Sequence, residues 1–190
     1  MRLSWSGTGE RSDAGIKYTL VICVENKLRF NNPEDLQLIA PIMLQVLRLP
    51  THPAPTIGKY RSILINRMCR ELEKLIKIGK SKRAHLNAQH SGISSDLSEY
   101  SWARRSLLDD KHEEGFHFEH SETVYELEQS LKNLSNPTLG DVERILGRAR
   151  VTWVTKKENA KLDELGFKSR RPDWRKAYQD AGIELTDDSY

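Results

Sequence analysis

Apolar residues fall in short groups along this chain, and their spacing changes character several times. Residues 18–24 (YTLVICV) are apolar and β-branched and read as a buried strand. Asn32-Pro33-Glu34-Asp35 reads as a helix start, with asparagine as cap, proline at the first helical position and acids facing the positive helix end. Leu36, Ile39, Ala40, Met43 and Leu47 follow at helical spacing, and Pro41, which lacks a backbone donor, should kink or split that helix. Pro50, Pro53 and Pro55 mark a loop. Residues 60–78 give the clearest helical pattern, with Leu64, Met68, Leu72, Leu75 and Ile76 on one stripe and Gly79 as its C-terminal cap. The polar segment 80–95 reads as a mobile loop, and 97–108 as a further helix carrying Tyr100, Trp102, Arg104 and Arg105.

The last third is punctuated more clearly. Ser121 is placed to cap a helix whose apolar face is Val124, Leu127, Leu131 and Leu134. Asn136-Pro137-Thr138, followed by Asp141, opens another with Val142, Ile145 and Leu146 inside and Gly147 at its end. Residues 150–154 (RVTWV) alternate and predict a strand. Thr155 and Glu158 have the spacing of a capping box, in which each side chain satisfies an orphan backbone donor of the other. That helix should end at Gly166, and the last should run from Pro172 to Gly182. The sum is an α+β fold, predominantly helical, with two to four short strands. We expect a flexible 1–15, one domain over 16–185 and a basic C-terminal subdomain at 148–185.

Composition narrows the classes. Hydrophobic residues are 37% and charged residues 30% of 190, lean for a globular chain but far from a disordered one. No apolar run reaches the roughly 20 residues a membrane span needs, and residues 1–13 lack the apolar core of a signal peptide. No membrane association and a cytoplasmic location are therefore expected. Cys23 and Cys69 are too few for a cysteine zinc site. The net charge of +3 is unevenly spread: ten Lys or Arg lie between Arg148 and Lys176 against four acids, whereas 96–143 leans acidic.

Candidate chemistry concentrates in 109–122 (DDKHEEGFHFEHSE). Three of the six histidines stand there, His112, His117 and His120, among Asp109, Asp110, Glu113, Glu114, Glu119 and Glu122. Imidazoles beside carboxylates are what a divalent ion or a general base needs. If 116–120 is extended, Phe116, Phe118 and His120 share one face, and His117 and Glu119 the other. If it is helical, His117 and His120 fall together. The sharpest reading takes His120 as general base, with Glu119 catalytic beside it and His117 and Glu119 as ligands for Mg²⁺, Mn²⁺ or Zn²⁺ in a phosphodiesterase or nuclease. No histidine follows His120, so any further ligand must come from Asn133, Asn136 or the acids. A solvated acidic loop with locally bonded histidines would carry the same residues.

Two other groups bear on partners. His85 and His90 are five apart and would not share a helix face; with Lys80, Lys82 and Arg83 before them they read first as an ordinary solvated loop, with contact to nucleic acid or donation of a ligand as the alternatives. The basic run offers Arg148, Arg150, Lys156, Lys157, Arg170, Arg171 and Arg175 to phosphates. Trp153, Phe167, Trp174 and Tyr178 are interleaved with it, either as stacking surfaces for bases or as core packing for short helices. No phosphate loop, dinucleotide fingerprint, serine-hydrolase elbow or His-Glu-x-x-His helix is present.

Glu119-His120, the segment 151–158 (VTWVTKKE), Arg171-Pro172 and the closing 177–183 (AYQDAGI) together resemble a loose group of uncharacterised bacterial and phage proteins. Those proteins carry a Glu-His pair, a strand ending in Thr-x-x-Glu and a final Tyr-x-x-Ala-Gly-Ile. The likeness spans about the last 75 residues and none of the first hundred. It implies a bacterial or mobile-element context and singles out Glu119-His120. Ser121-Glu122-Thr123 stands where the group often carries a proline. The leading expectation is a protein acting on DNA or RNA. The alternatives are a nucleic-acid-binding regulator and a non-catalytic inhibitor, immunity factor or adaptor, the last meeting a protein partner through the acidic middle.

Overall fold

The computed structural model describes residues 33–49, 55–93, 96–100 and 115–190. Within them the fold is α+β and predominantly helical, as the spacing predicts. The elements are α1 (Pro33–Arg48), α2 (Pro55–Glu71), β1 (Ile78–Lys80), α3 (Lys82–His90), β2 (Phe116–His120), α4 (Val124–Lys132), α5 (Leu139–Leu146), β3 (Val151–Thr155), α6 (Lys156–Glu164) and α7 (Trp174–Ala181). The expected strand at 18–24, Asn32, residues 50–54 of the prolyl loop with His52, and the 101–114 segment lie outside the described residues. Pro55, expected in that loop, begins α2, and of the helix expected over 97–108 the described part is a 3-10 turn at Leu97–Glu99.

Three strands form one mixed sheet in the order β1-β3-β2. β3 is central, and all five of its residues are buried, which is why VTWVT is apolar or hydroxylic throughout. β2 runs antiparallel to it, with Phe118 opposite Trp153, while β1 runs parallel, with Lys80 opposite the same tryptophan. The α4–α5 hairpin connects β2 to β3.

Alternation along the strands separates two cores. Phe116, Phe118, Val151 and Trp153 join the larger one with Ala40 and Met43 of α1, Ile65 of α2, Ala84 of α3, Leu127 and Leu131 of α4 and Leu146 of α5. The Phe118 and Trp153 rings meet edge to face at 4.7 Å. On the opposite face Val154 packs with Leu162 of α6, Trp174, Ala177 and Tyr178 of α7, and Ile183. Full burial of one such side chain stabilises by about 1.5–3 kcal/mol.

Helix starts follow local capping. Thr138 with Asp141, and Thr155 with Glu158, both form capping boxes. Asp173 caps α7, so that helix begins two residues beyond the expected Pro172. Thr123, not Ser121, caps α4, because Ser121 is buried and hydrogen-bonded elsewhere. Pro41 does not split α1, which runs unbroken through it. Pro41 and Gln37, the residue whose carbonyl loses its donor, are both on the solvent side, where water can satisfy it.

Two expectations fail for one reason. The helix expected over 60–78 stops at Glu71, passes through a 3-10 turn at Leu72–Lys74, and the chain then becomes β1, with Gly79 inside the strand rather than at a helix cap. The segment expected to be a loop forms the end of β1 and α3. Both elements depend on residues about a hundred positions away. Lys82 donates its backbone N–H to the Glu184 carbonyl at 2.7 Å, and Thr186 donates to the Lys80 carbonyl at 3.1 Å. The Lys80 ammonium, itself buried, reaches Asp188 at 2.9 Å and Asp96 at 3.3 Å. Gly79 is glycine because a Cβ there would sit 2.9 Å from the ring and hydroxyl of Tyr190.

Candidate functional site

β2 divides the proposed catalytic set. It is extended, so His117 and Glu119 share one face and His120 takes the other, as alternation requires. His120 sits among the larger core, 6.5 Å from the Phe118 ring in an edge-on arrangement. Its Nε2 is buried and has no hydrogen-bond partner among the described residues. Glu73 Oε2, from the turn after α2, is 3.6 Å away, too far for a hydrogen bond. Burial pushes the His120 pKa down, while burial and the nearby Glu71 push that of Glu73 up. Both shifts oppose charge, so His120 is a neutral imidazole at pH 7 and the contact is not an ion pair.

Glu119 is held from two sides. His117 Nε2 lies 3.3 Å from its Oε2, and the Arg171 guanidinium 2.8 Å from its Oε1. Burial alone would raise the carboxyl pKa, but His117 and Arg171 outweigh it and hold the group below the usual carboxylate range. Arg171 is 1% exposed. It donates further to the carbonyls of Phe167 at 2.7 and 3.1 Å, of His120 at 3.2 Å and of Ser121 at 3.4 Å. One guanidinium thus ties the loop before α7 to the end of β2.

Beside this pair runs a buried chain of hydroxyls. Tyr178 donates to Ser121 at 2.9 Å, Ser121 meets Thr152 at 2.5 Å, and Thr152 meets Tyr190 at 2.7 Å. Tyr190 donates to the Val151 carbonyl at 2.6 Å. Run in that direction, every hydroxyl donates once and accepts once where it can, so none is orphaned. Sequence reasoning missed this network, since its members come from four separate segments.

The cations of the basic run have different fates. Arg148 pairs with Glu122 and donates to Ser130 at 3.1 Å. Arg150 donates to the carbonyls of Gly147 and Ala149 and lies over the Tyr190 ring at 5.5 Å. Arg170 lies over Tyr125 at 5.2 Å and Arg175 over Trp174 at 4.6 Å, both guanidinium groups on the surface. The Lys156 side chain passes over Gly115, where a Cβ would meet it at 2.8 Å. Of the interleaved aromatics, Trp153, Trp174 and Tyr178 are buried, which favours the packing role over open stacking surfaces.

Two segments distant in sequence meet in a surface cleft of 590 Å³. Lys82, Arg83 and Leu86 of α3 form one wall, Lys157 and Lys161 of α6 the other, with Gly182 and Glu184 at its end. Four cations therefore face two carboxylates, and Glu158, the inner of these, is buried. Glu158 is occupied by the fold: Ser81 Oγ and the Thr155 backbone N–H both donate to its Oε2 at 2.8 Å. Glu184 pairs with Lys82 at 2.9 Å, and Lys161 with Glu164 at 2.9 Å. Such exposed pairs are worth about 0–1 kcal/mol, so the fold loses little if they open. The positive ends of α3 and α6 add to the potential. Lys157 was a sequence candidate; Lys82 and Arg83 were expected in a loop, and the cleft itself was not foreseen. His85 contacts Gln89 one helical turn on at 3.1 Å, and His90 is exposed.

Among the described residues, no group of three or more His, Cys, Asp or Glu is arranged to hold a metal ion. His117 and Glu119 supply two donors, and Arg171 holds the second carboxylate oxygen. His112, Asp109, Asp110, Glu113 and Glu114 are outside the described residues. No described helix is long and apolar enough to cross a membrane. Comparison with protein-family models, curated proteins and solved structures finds no match.

Proposed function

We propose that this protein binds nucleic acid, with the phosphate backbone seated in the cleft between α3 and α6. The observation that carries the reading is the meeting of Lys82 and Arg83 with Lys157 and Lys161 across one 590 Å³ cleft. Cations gathered from two helices onto one concave surface neutralise successive phosphates and release their counterions. Binding measured by fluorescence anisotropy should then weaken steeply between about 50 and 200 mM salt. Charge reversal at an exposed wall position, Lys161→Glu, should weaken it further. Affinity that is indifferent to salt and to this substitution rejects the reading.

A second reading, metal-dependent cleavage of the bound strand, is favoured by one observation: the unpartnered Nε2 of His120, kept neutral by burial, as a general base must be. His120 and the His117–Glu119 pair face opposite sides of β2, so a single centre would use one or the other. The assay is cleavage of single- and double-stranded DNA and RNA with Mg²⁺, Mn²⁺, Zn²⁺ or EDTA. Metal-dependent cutting abolished by His120→Ala supports this base; cutting that survives moves the chemistry elsewhere.

A further inference from the structure

The basic cleft does not end at Gly182. A second cleft of 460 Å³ begins there and shares both Gly182 and Glu184 with the first. Its character is different. Trp174, Tyr178, Ile183 and Leu185 give it an apolar lining, Arg175 and Gln179 stand at its mouth, and both of these are exposed. The Arg175 guanidinium lies 4.6 Å from the Trp174 ring centre, so a delocalised cation covers an aromatic surface at the rim. Gly182, which the two clefts share, is exposed, and a Cβ built on it would meet nothing within 4 Å.

We propose that this second cleft receives an unpaired nucleobase, and that the protein therefore selects single-stranded over duplex nucleic acid. The inference rests on the phosphate-binding reading of the adjoining cleft and adds the substrate class. A nucleotide is a flat, weakly polar ring joined to an anion, and the two clefts present matching surfaces side by side. The ring lies over the half-buried Leu185 and stacks on the outer face of the exposed Arg175 guanidinium, whose inner face rests on the buried Trp174. The Gln179 amide offers both donor and acceptor, and the Glu184 carboxylate an acceptor, to the base edge. Its phosphate falls among Lys82, Arg83, Lys157 and Lys161. A base stacked in a duplex cannot enter, because the lining is reached only by a ring extended from its own strand.

The test compares three labelled ligands with equal numbers of phosphates, bound by the full chain at low salt: a single-stranded oligonucleotide, the same strand with abasic sites, and a duplex. The inference predicts that the abasic strand binds roughly fivefold or more weakly than the intact one, since stacking one base is worth about 1–3 kcal/mol. Arg175→Lys keeps the charge and removes the plane, so in that variant the intact-to-abasic ratio should fall toward one while the salt dependence is unchanged. Equal binding of intact and abasic strands, or preference for the duplex, overturns the base cleft and leaves the phosphate cleft standing. Binding of none of the three removes both.

Discussion

Arg171 and Lys161 belong to one basic run, ten residues apart, yet the molecule uses them in opposite ways. Arg171 is sealed against Glu119, with its remaining donors spent on three backbone carbonyls. Lys161 stands on the rim of a cleft, in an exposed contact to Glu164. The first charge is part of the fold and has nothing left to offer a ligand. The second costs the fold little to redirect. A count of cations in sequence merges these cases; burial and the number of fixed partners separate them.

The sharpest way to break the comparison is to remove the buried cation. Arg171→Met leaves the buried Glu119 carboxylate with His117 alone beside it and should cost about 3–5 kcal/mol in chemical denaturation. Adding Glu119→Gln to that variant removes the stranded charge and should recover part of the loss. A single substitution within the range of a surface change would mean that the pair is not structural.

Next in size is the contact that anchors β1. Gly79→Ala drives a methyl group against the Tyr190 ring, whose displacement breaks its hydrogen bonds to Thr152 and Val151. A loss of about 1–3 kcal/mol is expected from overpacking and lost hydrogen bonds. Gly79→Ala combined with Tyr190→Ala should lose less than the sum of the two single effects, and full additivity would deny the contact.

The smallest effect follows pH. Burial holds the His120 pKa below its ordinary value, so the unfolded chain binds the proton more readily than the folded one. The stability linked to a neutral His120 is therefore present above about pH 6.5 and is lost as pH falls through and below that value. His120→Phe should flatten this part of the stability profile; an unchanged slope would show that another group titrates there.

These contrasts also explain what was legible beforehand. Thr138 with Asp141, and Thr155 with Glu158, were readable because a capping box closes over three residues. The facing of His117 with Glu119, away from His120, was readable as one of two geometries, and the extended one is found. α3 reads as a loop in sequence because much of what anchors it is remote. Its cap Ser81 is also bonded to Glu158, 77 positions on, and its first backbone N–H bonds to Glu184. Gly79 reads as a helix cap in sequence because the ring that requires a glycine there is 111 residues away. The basic cleft has the same origin: neither of its walls looks exceptional until α3 and α6 are set side by side.

The most direct test of the division between structural and ligand-facing cations is the salt dependence of nucleic-acid binding across single variants. Lys157→Ala and Lys161→Ala, on the cleft, should each reduce the slope of log affinity against log salt by about one, and Lys168→Ala, on the surface outside it, should leave the slope unchanged. Equal reductions in all three, or none in the cleft pair, would contradict the account.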